Sequence, residues 1–251
     1  MHFTTTIHTD QALVRFSSYR RHNPKLWAQF EQRSNLSWLY HDQALEGVAL
    51  DETELRKALS GQEGRHHSEE QLFQHIRNVM KAIEDTRLFA REPLATLSLE
   101  EIKQFHVFLA DPADPAAGRY RKTEGPAAAY KHQVTRTPSI SYRLRKLVEA
   151  IETTYGEMHP VRAAALMHHE FMSIWPFDDR AGTAGRLLMN YWLIHAGYPP
   201  AIIHATDRQS YYDALCDKPE AMIAVVSDAL ESTMRCAIAF FERELQTSMV
   251  A

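Results

Sequence analysis

The chain has 251 residues, 45% hydrophobic and 24% charged, the balance of a soluble globular protein and a length that fits one large domain or a domain with an extension. A net charge of −4 supplies no basic surface for nucleic acid. No apolar run reaches membrane-spanning length and Met1-His2-Phe3-Thr4 is no signal peptide, so the expectation is a cytoplasmic protein with no nucleic-acid or membrane partner. Cys216 and Cys236 lie in helical patterns, form no metal or redox motif, and are expected as buried thiols.

Helical patterning runs through nearly the whole chain, so the expected fold class is all-α. Residues 1–20 are polar with few anchors and read as a loosely held arm. Trp27, Phe30, Leu36, Trp38 and Leu39 then begin the packed region, with a helix around Ser37 to Leu45 that ends at Gly47. Three capping boxes follow: Asp51 to Glu54, Ser68 to Gln71 and Ser98 to Glu101. The second opens a long helix with Leu72, Phe73, Ile76, Val79, Met80 and Ile83 at helical spacing, the third one with Ile102, Phe105, Phe108 and Leu109. Asp111 to Ser141 breaks the pattern with Pro112, Pro115, Pro126, Pro138, Gly118 and Gly125, and a loop this long inside a compact domain is functional or disordered. Leu144, Leu147, Val148 and Ile151 mark a further helix. Near the end, Asp207 can cap a helix carrying Tyr211 and Leu215. Pro219 suits the first turn of a last long helix with Met222, Ile223, Val226, Leu230, Met234 and Ile238 inward.

The centre of the chain is Ile174-Trp175-Pro176-Phe177-Asp178-Asp179-Arg180-Ala181-Gly182-Thr183-Ala184-Gly185-Arg186. A helical run from Arg162 to Ser173 precedes it, with Leu166, Phe171 and Ile174 for a buried face. Leu187 to Leu193 follows and is too apolar for a surface helix, and Gly197 with Pro199-Pro200 stops it. A glycine-containing loop thus joins two buried helices. Unpaired N–H groups and the helix dipole at the start of the second make it a ready anion site. A sharp turn without a ligand is the plainer alternative.

This stretch resembles the signature of the Fic family, His-Pro-Phe-x-(Asp/Glu)-Gly-Asn-Gly-Arg-x-x-Arg, whose members mostly transfer AMP from ATP to protein hydroxyls. Pro176, Phe177, Asp179, Gly182 and Arg186 match. So do the flanking His168-His169-Glu170-Phe171, Gly197-Tyr198-Pro199-Pro200 and Asp207-Arg208-Gln209-Ser210-Tyr211. The departures fall on the chemistry. Trp175 stands at the catalytic His, Ala181 at the Asn, Thr183 at the first Arg and Arg180 at the first Gly. Indole offers one N–H donor and no acceptor, so Trp175 cannot serve as a general base. Ala181 and Thr183 bring no charge to a phosphate.

The resemblance implies a division into an N-terminal extension, residues 1–67, and a Fic core, residues 68–251, with a hairpin flap in the long loop. Gly118, Arg119, Tyr120 and Arg121 resemble the lead-in to that flap, which in the family holds a target peptide by strand addition. Many members also carry an inhibitory helix, (Ser/Thr)-x-x-x-Glu-(Gly/Asn), whose Glu pairs with the second signature Arg. Here Glu46 and Gly47 match, Asp42 takes the Ser/Thr position, and Glu46 is expected within reach of Arg186, with Asp42 or Asp179 as rivals for it. The anion or nucleotide loop would be Asp179, Arg180, Gly182, Gly185 and Arg186, with Asp179 as the magnesium acid. No cofactor is secure, although weak binding of ATP and magnesium stays open. Arg180 either replaces the lost phosphate contact or fills the nucleotide space. His132, His168, His169, His195 and His204 have no metal-pair spacing, and a substitute base among them stays open. Three readings follow: a binding or regulatory protein without AMP transfer, an enzyme of altered chemistry on nucleotidyl or phosphoryl groups, or an interaction protein working through the flap and an oligomer surface such as a homodimer.

Overall fold

The computed structural model describes residues 2–92, 97–111, 113–124 and 134–250, with side chains from residue 10 to residue 247. Those residues form α1 (His2–His22), α2 (Pro24–Leu45), α3 (Glu52–Leu59), α4 (His67–Phe89), α5 (Leu99–Leu109), α6 (Ile140–Thr153), α7 (Pro160–Ile174), α8 (Ala181–His195), α9 (Arg208–Cys216) and α10 (Ala221–Val250), with short 3₁₀ turns and no strand among them. The all-α expectation holds.

The α7–α8 pair is the centre. α8 is buried from Ala181 through Tyr191, as the mostly apolar run from Leu187 to Leu193 requires. α4 and α5 pack on α8, α6 and α10 on α7, and α2 spans from α4 to α10. Gly185 allows the α7–α8 approach: a Cβ there would lie 2.8 Å from Phe171 Cδ1 and 3.1 Å from Met172 Sδ. The inward stripe of α10 is Met222, Val226, Leu230, Met234, Ala237 and Phe241, whereas Ile238 is only partly buried.

Several expectations are corrected. The N-terminal segment is a helix on α10, with Phe16 fully buried and Tyr19 stacked on Phe241. Ala12, Leu13, Phe16 and Tyr19 pack against the core and suffice, whereas Val14 is left exposed. α2 starts at Pro24, well before Ser37, and its register turns Leu36 outward, 43% exposed. The first and third capping boxes form. The second does not, because the helix begins at His67 and leaves Ser68 inside its first turn. Glu70 and Glu69 instead accept from the loop amides of Gly64 and Arg65 at 2.5 and 2.6 Å. Asp207 precedes α9 without a side-chain cap, and Pro219 lies in the turn before α10. Both cysteines are exposed, since each sits on the outward side of its helix. Part of the long loop, including Pro112, Gly125, Pro126 and His132, lies outside the described residues, and so does most of the expected hairpin.

Candidate functional site

α2 ends with Glu46 as its C-cap and Gly47 at φ +86°. Gly47 N–H donates to Ala44 O and Val48 N–H to Gln43 O, a left-handed stop that glycine enters without a Cβ penalty. This stop places the last turn of α2 against the start of α8. There Arg186 Nε donates to Asp42 Oδ1 at 2.6 Å and Nη2 to Glu46 Oε1 at 2.6 Å. Both Asp42 and Glu46 therefore hold Arg186, where one had been expected to exclude the other. Asp42 and Arg186 are almost fully buried and the Glu46 side chain is 20% exposed.

Thr183 Oγ1 donates to the second Asp42 oxygen at 2.8 Å, and Gln43 Nε2 does so at 3.2 Å. Behind them His75 Nε2 donates to Gln43 Oε1 at 2.5 Å. Burial, then the Arg180 charge, holds His75 below the usual imidazole range. Tyr211 OH accepts from Arg186 Nη1 at 3.4 Å and meets His168 Nε2 at 2.9 Å, while His168 Nδ1 donates to Gly185 O at 3.0 Å. A carbonyl only accepts, so His168 carries its proton on Nδ1 and takes a hydrogen bond from Tyr211 at Nε2. Burial would lower the Arg186 pKa, but Asp42 and Glu46 outweigh it and raise it well above its ordinary value.

The glycine at position 182 serves this clamp. A Cβ there would stand 2.2 Å from Glu46 Oε1, so the carboxylate lies directly over the first turn of α8. That is where free amides and the helix dipole favour an anion. The anion at this helix start is the protein's own.

The loop itself is held tightly. Trp175, 4% exposed, caps α7 at φ 47° and Arg180 opens α8 at φ 53°. Each left-handed non-glycine residue costs roughly 1–2 kcal/mol, so the surroundings must fix them. Arg121 supplies one anchor. Its N–H donates to Pro176 O at 2.9 Å and its Nε to Trp175 O at 2.7 Å. The rest of its guanidinium goes to Thr123 O, Thr137 Oγ1 and Thr135 O, and Thr135 N–H donates to Ser173 O at 2.8 Å. Both limbs of the long loop are thus pinned to the motif. Arg121 is buried and cannot face a docked peptide, in contrast to Arg119 and Tyr120.

Arg119 and Tyr120 line a cleft of about 230 Å³ with His106, Lys122, Asp178 and Asp179. His106, on the inward stripe of α5, was missed by the sequence reading, although its spacing from Ile102 and Leu109 marks that face. It stacks on Phe177 at 4.2 Å and accepts from Gly118 N–H at Nδ1, 3.0 Å away. Its Nε2 therefore donates to Asp179 Oδ1 at 3.1 Å. That hydrogen bond, then the Arg180 charge, holds the half-exposed Asp179 carboxyl below its ordinary range. Arg180 reaches Asp179 at 2.9 Å, Asp114 at 3.1 Å and Leu109 O at 3.4 Å. It neither points into the clamp nor waits for a phosphate. Of the other candidate histidines within the described residues, His169 bonds Asp217 O, His195 bonds Ala90 O, and His204 stacks on His41 at 4.2 Å.

ATP and magnesium do not fit this arrangement. The signature arginine is held by two carboxylates, Glu46 covers the helix start, and Asp179 is shared between His106 and Arg180. Among the described residues, no group of three His, Cys, Asp or Glu side chains could hold a metal ion.

A model of the Fic/DOC family matches residues 96–193. The chain is similar to proteins described as "Protein adenylyltransferase Fic". It is 30% identical to that of Nematostella vectensis over 185 residues, 70% of this chain and 42% of the relative. With that of Culex quinquefasciatus it shares 28% over 212 residues, 81% of this chain and 42% of the relative. The chain thus spans about two fifths of the length of these relatives. Among solved structures, a Fic domain containing signaling protein from Bacteroides thetaiotaomicron superposes with a TM-score of 0.81 at 21% identity, covering 93% of this chain and 96% of that one. Fic-1 from C. elegans superposes with a TM-score of 0.76 at 22% identity, covering 95% and 72%. At such identities these two establish the fold.

Proposed function

The chain belongs to the Fic/DOC family, and from that premise we propose that it is a Fic protein without ordinary AMP transfer, acting as a binding or regulatory module. The observation that carries this reading is the clamp. Asp42 and Glu46 occupy Arg186 and the start of α8, where the family resemblance expects a nucleotide phosphate. Trp175 supports it from the side of the chemistry, since indole cannot take a proton from an attacking hydroxyl. A lost general base alone costs about 10²–10⁴-fold in rate. An enzyme of altered chemistry on nucleotidyl or phosphoryl groups has less support, because Arg180, the cation that would replace the missing arginine, is spent on Asp114 and Asp179. In this reading a protein partner docks along Arg119 and Tyr120, either a target or a second copy of the chain, in the cytoplasm. No described helix is long and apolar enough to cross a membrane.

The test is incubation with labelled ATP and magnesium, alone and in extracts. Neither the natural sequence nor Glu46→Gly should label itself or another protein, because freeing the loop restores no base. Calorimetry should give ATP a Kd no better than about millimolar, some 4 kcal/mol of binding energy. Strong labelling by Glu46→Gly, or micromolar ATP affinity, would return the protein to the enzymes.

A further inference from the structure

A second concavity lies away from the clamp, where the first half of α2 faces α10 and the segment that leads to α9. It encloses about 230 Å³, and its lining includes Phe30, Arg33, Ile202, His204, Cys236, Phe240 and Arg243. The charge there is one-sided. Arg33 and Arg243 line it and no carboxylate does. Arg33 lies over the Phe240 ring at 4.8 Å, and among the described residues it has no acidic partner within 4 Å. A guanidinium stacked on an aromatic face keeps its in-plane N–H groups free for a planar anion. Arg243 is 65% exposed and has Glu244 at 3.6 Å, too long for a tight pair. Phe30, Ile202 and Phe240 supply an apolar wall, beside the hydroxyl side chains of Ser34, Ser37 and Thr233. Small-molecule sites combine such an apolar wall with a few fixed polar groups. The volume is below the usual drug-sized range of about 300–1,000 Å³, so the occupant is small.

We infer that this groove binds a small organic carboxylate with an aromatic or apolar tail, the carboxylate held by Arg33 and Arg243 and the tail laid on Phe30 and Ile202. A carboxylate can take two parallel hydrogen bonds from the planar arginine fork. The apolar wall demands a tail that an inorganic anion lacks. The inference is independent of the clamp and of any chemistry at the α7–α8 loop.

The two exposed cysteines provide the readout. Cys236 lines the groove and Cys216, at the end of α9, does not. The intact protein is alkylated with iodoacetamide in the presence of 4-phenylbutyrate, and each cysteine is followed by mass spectrometry. The neutral alcohol 4-phenylbutan-1-ol and inorganic sulfate are run in parallel. Phenylbutyrate should slow Cys236 saturably and leave Cys216 unchanged. The alcohol and sulfate should each protect at least about tenfold less well, the equivalent of about 1.4 kcal/mol. Arg33→Ala with Arg243→Ala should weaken the phenylbutyrate effect by a similar factor, with the melting curve checking the fold. The measurements on the natural sequence need no variant. Equal protection by the alcohol or by sulfate, equal slowing of both cysteines, or no slowing at Cys236 would overturn the inference.

Discussion

Replacing Asp42 by Ala should destabilise the protein far more than replacing Glu46, although both carboxylates hold the same guanidinium at 2.6 Å. Removing one partner of a buried ion pair costs about 3–5 kcal/mol, mostly because the other charge is left buried. Asp42 and Arg186 are 2% and 3% exposed, and although Arg186 keeps the part-exposed Glu46, Thr183 and Gln43 lose their shared buried acceptor, which brings the loss up to that range. The Glu46 side chain is 20% exposed. Water can enter where it leaves, and Arg186 keeps Asp42, so the loss should be nearer 1 kcal/mol, as for solvent-reached pairs. In a chain of this size each kcal/mol moves the melting point by about 2–4 °C. Asp42→Ala should therefore melt roughly 6–20 °C lower, and Glu46→Ala only about 2–4 °C lower. Thermal and urea melts of both, repeated in an Arg186→Met background, form the cycle. With Arg186 gone, Asp42 becomes an uncompensated buried charge, and Asp42→Ala should turn neutral or stabilising. If Glu46→Ala were the costlier change, or if Asp42→Ala cost the same with and without Arg186, the clamp would not be the structural pair described here.

Two other perturbations probe the same frame. Gly182→Ala places a methyl 2.2 Å from Glu46 Oε1, so Glu46 must leave the start of α8, and Glu46→Ala should then have no further effect on the melting point. His41 accepts from Ala205 N–H at Nδ1, and burial, then His204, lowers its pKa from 6.5 to about 4. The unfolded chain therefore takes up this proton first as pH falls, and stability drops between pH 6.5 and about 4. His41→Asn keeps an acceptor without the titration and should flatten the urea midpoint over that window. An unchanged slope would mean that His41 is not the group responsible.

How legible all this was in the sequence depends on the distance over which a residue finds its partner. The α7–α8 loop, the buried α8 and its stop at Gly197 follow from local pattern, since Leu187 to Leu193 leaves no polar face for solvent. Two of three capping boxes formed for the same reason. The one at Ser68 failed because the N-cap is His66, two residues earlier, a shift of register that local pattern does not reveal. α1 was misread because Tyr19 gains its anchoring from Phe241, more than two hundred positions away, and Phe16 from Trp27 on the next helix. His106 reads as one more inward position of α5 until Asp179 and Gly118 are brought to it. The Glu46–Arg186 contact was expected only through resemblance to a family, and nothing in the local pattern of α2 announces that Asp42 reaches Arg186 first.

The exchange at positions 42 and 183 explains why the clamp should bind nucleotide poorly even when disturbed. The family pattern puts a hydroxyl at the first position and a cation at the second. Here the acid is Asp42 and the hydroxyl is Thr183, which donates to it at 2.8 Å. A polar contact between α2 and α8 is kept, but the charge balance is reversed, with two carboxylates now facing Arg186 alone. An arriving phosphate would have to displace Glu46 from the helix start and would still face Asp42 across the same guanidinium. One uncompensated like-charge approach at about 4 Å costs about 4 kcal/mol at an effective dielectric near 20, as much as the whole binding energy of a millimolar ligand. Glu46→Gly removes only one of the two acids. Restoring phosphate affinity should therefore need Asp42→Ser and Thr183→Arg together with Glu46→Gly. That triple variant should gain ATP affinity by calorimetry and, while Trp175 remains, still fail to transfer AMP. Tight ATP binding by Glu46→Gly alone would show that Asp42 does not set the charge of this site.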